Sequence, residues 1–468
     1  MHSRRDQVEA HSFVTNRLRS ALLWAKPDSP LSPLRRTPVG LVIGCVLGAL
    51  VIAGVAVLSL LKPGGGQAWR ESGVLIVEKQ TGTRYVLSEG RLLPVLNYAS
   101  ARLLLGKAMR VEQTSAKSLS RVPRGGQIGI VGAPDTLPDP AKSGDQPWLV
   151  CAASVRDAEG AERPALAVLI GPTAVPSPDS RLDGALVRTP DGAVYLAAGG
   201  RRMRLGAPWV GRALGLDDRS ALPVRSSWVN AMPAGPDLGR LPIDGRGEAG
   251  PRLDGRLATV GQVFTVRSAG TVERHYLVTS RGLMQLNDTA VALVLGDPAT
   301  ADSYGAEGAR ALPLSPTALA SADIVDTPPW VAGLPPMPRT LGNDQADFVP
   351  CVLVVTGAKD ARTALVWLPA AAAEVAGSPE GPVLVRDGLT ADRVALPPGG
   401  GLLARTRPAP GVSGAGLFLV VENGAKYPVE DEEAAEALGY SPQQAAAVPA
   451  GLLAMLPTGP MLGNLGSG

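Results

Sequence analysis

The chain has 468 residues, with 45 Lys+Arg against 42 Asp+Glu, three His and three Cys. So few Cys and His exclude a Cys₄ zinc site, a four-Cys iron–sulfur cluster and a His-rich metal centre. Hydrophobic residues make up 45% of the chain, and the 56 Gly and 43 Pro predict many turns and short strands rather than long helices. Residues 1–38 hold seven basic and three acidic residues, so this tail carries +4 and the remainder −1 of the total of +3. A near-neutral body lacks the clustered basic face that nucleic-acid binding needs.

In chain order, the tail comes first. Residues 8–25 place Val8, Val14, Leu18, Ala21, Leu22 and Ala25 near helical spacing, with Arg17 and Arg19 off that stripe. Such a helix could lie on the inner leaflet or dock on a cytoplasmic partner; a solvated basic tail is the bland alternative. Arg4-Arg5 is not a twin-arginine signal, because Asp6 follows and the apolar run begins far downstream. That run, Val39 to Leu61, is 23 residues without a charge. A helix of this length reaches about 34 Å, enough for a bilayer core, and it is too long for a signal-peptide h-region. Arg35 and Arg36 precede the span, with Arg17, Arg19 and Lys26 behind them. The positive-inside rule therefore predicts a cytoplasmic N-terminus in the plasma membrane and an extracytoplasmic body.

Four later segments share a pattern of strand, Gly turn, short strand and helix-like run ending at Gly: 84–106, 194–216, 275–296 and 417–439. The closing glycines, Gly106, Gly215, Gly296 and Gly439, predict helix ends with positive φ. An apolar-Pro pair follows each segment: Val122-Pro123, Leu222-Pro223, Leu312-Pro313 and Val448-Pro449. Cys151 and Cys351 each open a hairpin-like pair of apolar runs, and Cys45 lies inside the anchor. Thiols outside the cytoplasm tend to pair, so a Cys151–Cys351 disulfide is predicted; a redox-active pair is the alternative, against which stands the lack of C-x-x-C.

The order repeat, Cys hairpin, repeat, repeat, Cys hairpin, repeat reads as two similar halves. The predicted fold class is α+β and β-rich. One N-terminal transmembrane helix precedes an elongated extracytoplasmic body with a disulfide-stapled central β core and four small α/β repeat modules in pseudo-twofold arrangement. The boundaries are 1–38 cytoplasmic tail, 39–61 anchor, 62–72 linker, 73–140 module 1, 141–180 core, 181–256 module 2, 257–325 module 3, 326–375 core, and 376–468 module 4 with the C-terminal segment. Stretches 134–147, 233–256, 297–316, 328–346 and 376–416 read as linkers and surface loops.

No phosphate-binding G-x-x-x-x-G-K-[ST] is present; the strings at Gly106-Lys107 and Gly357-Ala358-Lys359 lack the first Gly and the hydroxyl. No G-x-S-x-G occurs, and His275 sits within an alternating strand pattern, as a surface or inter-strand residue. The run Glu430-Asp431-Glu432-Glu433 reads as charges at a helix N-terminus. These residues leave no catalytic, cofactor or metal site to name.

The opening Ser3-Arg4-Arg5-Asp6-Gln7-Val8, the stretch with Phe13, Val14 and Arg17, the span at 39–61, the segment Tyr85 to Asn97 with Ser100-Ala101-Arg102-Leu103, and the widely spaced Cys151 and Cys351 together resemble the EccB family. This is the single-pass membrane component of actinobacterial type VII (ESX) secretion systems. The resemblance covers essentially the whole chain. It implies a disulfide-stapled outer core with four repeat modules similar to cell-wall-binding domains, and assembly with an EccC-type ATPase, an EccD-type membrane protein, EccE in some systems and a mycosin protease. It implies a scaffold of the secretion core that also oligomerises, with Arg4, Arg5, Asp6, Phe13, Val14 and Arg17 as partner-binding candidates. A peptidoglycan-binding envelope module is the second reading. Some members of the family carry an ATPase label, for which this sequence offers no matching residues, so a nucleotide hydrolase is the third.

Overall fold

The computed structural model describes residues 4–24, 36–61, 67–142, 144–156, 159–172, 184–267, 272–305, 308–337, 347–357, 361–374, 377, 379, 381, 383–409, 411–412, 414–463 and 465. Of the stretches named above, 1–3, 25–35, 62–66, 173–183 with the predicted boundary at 180/181, 338–346, and Ala358 with Lys359 lie outside the described residues. The chain divides into two units, residues 1–71 with 112–121, and residues 72–111 with 122–468.

The first unit contains α1 (Arg4–Trp24) and α2 (Arg36–Leu61). Within α2, Gly40–Val57 has a mean hydropathy of 2.7 and is the one helix among the described residues long and apolar enough to cross a membrane.

The second unit opens with an antiparallel meander of β1 (Val74–Glu78), β2 (Arg84–Ser88) and β3 (Arg91–Pro94). It continues with α3 (Tyr98–Leu105) and runs into β4 (Arg110–Thr114), beyond which α4 (Ala116–Leu119) belongs to the first unit. The first core hairpin pairs β5 (Pro147–Arg156) with β6 (Glu162–Ile170). A second meander, β7 (Gly184–Arg188), β8 (Val194–Ala198) and β9 (Arg201–Arg204), leads to α5 (Pro208–Ala213). Here β10 (Leu222–Pro223) returns parallel to β7, followed by α6 (Ser226–Asn230). The hairpin β11 (Ala249–Leu253)–β12 (Arg256–Thr259) precedes a third meander, β13 (Val263–Val266), β14 (Arg274–Thr279) and β15 (Gly282–Leu286). After α7 (Asp288–Gly296) and α8 (Ala301–Tyr304), β16 (Leu312–Leu314) lies parallel to β13. Next come α9 (Pro316–Ser321), β17 (Ile324–Val325) parallel to β15, and α10 (Pro329–Ala332). The second core hairpin is β18 (Phe348–Val355) and β19 (Arg362–Pro369), closed by α11 (Ala370–Glu374). β20 (Arg393–Ala395) joins β6 in parallel. A fourth meander, β21 (Gly401–Arg407), β22 (Leu417–Val421) and β23 (Lys426–Val429), is followed by α12 (Glu432–Leu438), β24 (Ala446–Pro449) parallel to β21, and α13 (Ala450–Ala454).

The local chemistry of these elements recurs. The second hairpin turn of each meander holds a glycine at positive φ, at 74° for Gly90, 70° for Gly200, 146° for Gly282 and 78° for Gly424, a conformation that a Cβ disfavours. Helix starts recur at equivalent places. The side chains of Asn97, Asn287 and Asp431 accept from the backbone N–H of Ser100, Ala290 and Ala434 at 3.0, 2.8 and 2.7 Å. Such caps satisfy donors that the first helical turn leaves unpaired. The second helix has Ala207 at this place and uses Pro208 in its first turn instead.

Several sequence expectations need correction; the stretches 297–316 and 328–346, read as linkers and loops, hold α8 with β16 and α10, respectively. Gly296 is the last residue of α7 and is not among the positive-φ glycines. Its lack of a side chain serves packing, because a Cβ there would stand 2.3 Å from the Ala213 methyl of α5. The pair Val122-Pro123 is not the counterpart of Leu222-Pro223. The Pro123 carbonyl accepts from Leu92 N–H at 2.8 Å, as Pro233 does from Arg202, Asp323 from Leu283 and Pro457 from Lys426. The stretch 376–416 is not all loop, since it holds β20 and the seven-residue β21, which pairs on both sides. The stretch 233–256 likewise ends in a hairpin, β11–β12.

The two Cys hairpins pair through β18 and β5 into one sheet of order β19-β18-β5-β6-β20. Its faces alternate with the strand period of two. Trp148, Val150, Val352 and Val354 look toward residues of the second and fourth sheets and of α6, among them Val187, Leu402, Val448 and Trp228. Leu149, Cys151, Cys351 and Leu353 form the other face, with Ala373 of α11.

Candidate assembly surfaces and the stapled core

Cys151 and Cys351 stand directly opposite each other in the β5–β18 ladder and form a disulfide, with Cα atoms 4.0 Å apart and 200 residues between them in sequence. Both are fully buried. The bridge therefore staples the ladder in which the two Cys hairpins meet. On the opposite face, the Trp228 indole N–H of α6 donates to the Pro350 carbonyl of β18 at 3.1 Å.

Around this core the sheets join in pairs. The first packs with the fourth through α3 and α12, with Ala99, Leu103, Ala434 and Leu438 in one apolar cluster. The second packs with the third through α5 and α7, with Val210, Leu214, Ala290 and Val294 in another. The second and fourth sheets in turn rest on the core face that carries Trp148.

A polar knot ties these parts. The Asp392 carboxylate accepts from Leu166 N–H of β6 at 2.9 Å and from Arg225 at 2.8 Å, with Arg163 at 3.3 Å. Arg225 also donates to the carbonyls of Thr390 and Gly388 at 2.9 and 2.6 Å. Burial pushes the Asp392 carboxyl up, but the Leu166 and Arg225 hydrogen bonds and the charges of Arg225 and Arg163 outweigh it and hold it below the usual value. At Lys426 burial wins: the ammonium, which donates to the Leu456 carbonyl at 2.6 Å, is pushed down despite the nearby Asp387.

The residues named from the sequence fall into place with mixed outcomes. His275 lies on β14, its Nδ1 2.9 Å from the Thr265 hydroxyl. Asp431 caps α12, with Glu432 and Glu433 in its first turn. Lys107 follows Gly106 at the C-terminal end of α3, whereas a phosphate cradle uses a helix N-terminus. Among the described residues no cluster of three or more His, Cys, Asp or Glu could hold a metal ion. Arg4, Arg5, Asp6, Phe13, Val14 and Arg17 lie along α1, all exposed, with Val14, Leu18 and Leu22 in register on one helical face.

A second exposed apolar surface is illegible in the sequence. Val131, Val385 and Met461 are 66%, 68% and 59% exposed, and Val383 is 37% exposed. Val385 pairs with Thr458 by backbone hydrogen bonds of 2.8 and 2.9 Å. Gly132 lies against Val383 and Pro460, at 2.5 and 3.8 Å from where its Cβ would stand. Segments more than 70 residues apart in sequence thus form one patch, which no periodicity could reveal.

Residues 1–465 match the family model described as type VII secretion system ESX-1, transport TM domain B. A Mycolicibacterium smegmatis protein, "ESX-3 secretion system ATPase EccB3", is 30% identical over 98% of this chain and 89% of its own length. The Mycobacterium tuberculosis "ESX-2 secretion system ATPase EccB2" is 27% identical, with 98% of this chain and 93% of the relative covered. Among solved structures, an EccB3 dimer from an ESX-3 core complex aligns with a TM-score of 0.66 at 25% identity, covering 83% of this chain and 98% of that one. An intact ESX-5 inner membrane complex contains a chain of the same fold, with a TM-score of 0.64 at 24% identity over 99% of this chain and 94% of that chain. With a membrane-length helix, a stapled two-hairpin core and a family match along nearly its full length, this chain belongs to the EccB family of type VII secretion components.

Proposed function

We propose that the chain is a structural, membrane-anchored subunit of a type VII secretion core complex, scaffolding assembly and envelope attachment for protein export. The observation that carries this reading is that one chain holds a membrane-length helix, an exposed apolar face on α1, and a disulfide-stapled body with an exposed apolar patch of its own. The body is organised as modules 73–140, 181–256, 257–325 and 376–468 around core parts 141–180 and 326–375. Support for this comes from the recurring meanders, caps and turn glycines. The basic flank at Arg35 and Arg36 supports a cytoplasmic N-terminus and an extracytoplasmic body. Solved relatives come from ESX inner membrane complexes, which supports EccC-type, EccD-type and, in some systems, EccE and mycosin partners.

Two contacts follow. The exposed face of α1, with Phe13, Val14 and Arg17, docks on a cytoplasmic partner subunit. The patch of Val131, Val383, Val385 and Met461 meets a second copy of the chain; contiguous exposed apolar surface marks interfaces, and a 25% identical relative is a dimer. Affinity purification of the full chain from native membranes, followed by mass spectrometry, tests the scaffold reading. Recovery with an FtsK-type ATPase and a polytopic membrane protein supports it, and recovery of the chain alone overturns it.

A further inference from the structure

Two clefts of the second unit share a wall. One, of about 540 Å³, runs past Ala198, Met203, Pro236 and Pro335. The other, of about 470 Å³, runs past Asn230, Pro233, Thr363, Pro449 and Gly451. Both volumes suit ligand recognition. Arg201 lines both clefts, Arg407 lines the second, and neither wall contains an Asp or Glu. Arg201 is exposed at the start of β9 and donates to the Ala234 carbonyl at 3.2 Å; among the described residues no carboxylate forms an ion pair with it. Arg407 is 7% exposed and donates to the Gly357 carbonyl at 2.6 Å.

These features define an occupant. A guanidinium on a wall without acids favours a carboxylate, which it meets bidentately. Proline walls have a fixed φ and offer no N–H donor, so the clefts are pre-formed and bind through shape and apolar contact. Two clefts meeting at one residue suit a long, narrow ligand better than a compact one. We propose that this double cleft seats an extended polypeptide segment of a partner protein, apolar on either side of an Asp or Glu that pairs with Arg201.

Fluorescence anisotropy with the full chain in detergent micelles tests this. The probe is a labelled octapeptide, Pro-Leu-Pro-Asp-Leu-Pro-Leu-Pro, with Asn and Lys versions at the acidic position. The expected result is saturable binding of the Asp peptide, weakened about tenfold in the Asn peptide and by Arg201→Glu. Arg201→Glu is expected to reverse the preference in favour of the Lys peptide. Gly451→Leu should abolish binding by filling the second cleft, and it should leave folding intact because open space surrounds the position where its Cβ would stand. No saturable binding up to about 1 mM peptide overturns the proposal. So does equal binding of the Asp and Asn peptides, binding unchanged in both variants, or full displacement by millimolar inorganic phosphate.

Discussion

The two inter-sheet joints occupy equivalent places yet are sealed by different chemistry. At the α5–α7 joint, Gly296 lets one helix approach another so closely that a Cβ would stand 2.3 Å from the Ala213 methyl. At the α3–α12 joint, Arg102 reaches across instead, its Nε and Nη2 donating to the Leu438 carbonyl at 3.4 and 3.3 Å, and the Tyr440 hydroxyl donates to the Pro138 carbonyl at 2.7 Å. Burial pushes the Tyr440 phenol far above its ordinary value, so it stays a neutral donor throughout the useful pH range. One joint is held by shape and the other by polar reach. Equivalent position in a duplicated order therefore does not fix the contact; the residue that fills the gap does.

The comparison can be broken or sharpened by mutation. The largest effect is expected at the element both joints hang from. Cys151→Ala with Cys351→Ala opens a loop of 200 residues and should cost up to about 5 kcal/mol. Thermal unfolding with and without reductant measures it, and both joints should loosen together in hydrogen exchange. Gly296→Leu should cost about 2 kcal/mol by overpacking, with faster exchange confined to 208–213 and 288–296. Equal loosening at 432–440 would show that the joints are not independent. Asp392→Asn should also cost about 2 kcal/mol, because it weakens charge-assisted bonds to Arg225 and Arg163.

Acid should act on the same knot. The folded Asp392 carboxyl is held below its ordinary 3.8. Its stabilisation is therefore present above that value and is lost as the pH falls through the lower folded value. Thermal unfolding followed below pH 4 should show a steeper acid loss in the parent chain than in Asp392→Asn. Arg102→Met is the mildest change, about 1 kcal/mol, since the apolar stem is kept and only the long hydrogen bonds to the Leu438 and Lys107 carbonyls go. It should speed exchange at 432–440 alone.

Much of the fold was legible because its signals are local. Gly90, Gly200, Gly282 and Gly424 mark turns that need positive φ, and Asp431 with its following glutamates marks a helix start. The disulfide was legible because two cysteines stood in matching apolar settings outside the anchor. The short parallel strands were not, because β10 has two residues and its pairing with β7 is fixed by tertiary packing rather than periodicity. β21 was missed because its apolar run is brief and flanked by Pro and Gly, which read as loop. Gly296 shows the limit of a residue-type signal: the same glycine that ends one helix by conformation thins another for packing. Of the candidate surfaces, the α1 face followed from helical spacing, whereas the patch at Val131, Val385 and Met461 exists only once distant segments are folded together.

The central claim is that this body is built to assemble, and that the exposed patch is where copies meet. Native mass spectrometry of the full chain in detergent tests it directly, comparing the parent with a Val385→Glu, Met461→Glu double variant. Both residues are exposed, so the variant should unfold within about 0.5 kcal/mol of the parent. The account predicts dimers or larger assemblies for the parent and monomers for the variant. A monomeric parent, or a variant that assembles as the parent does, would contradict it.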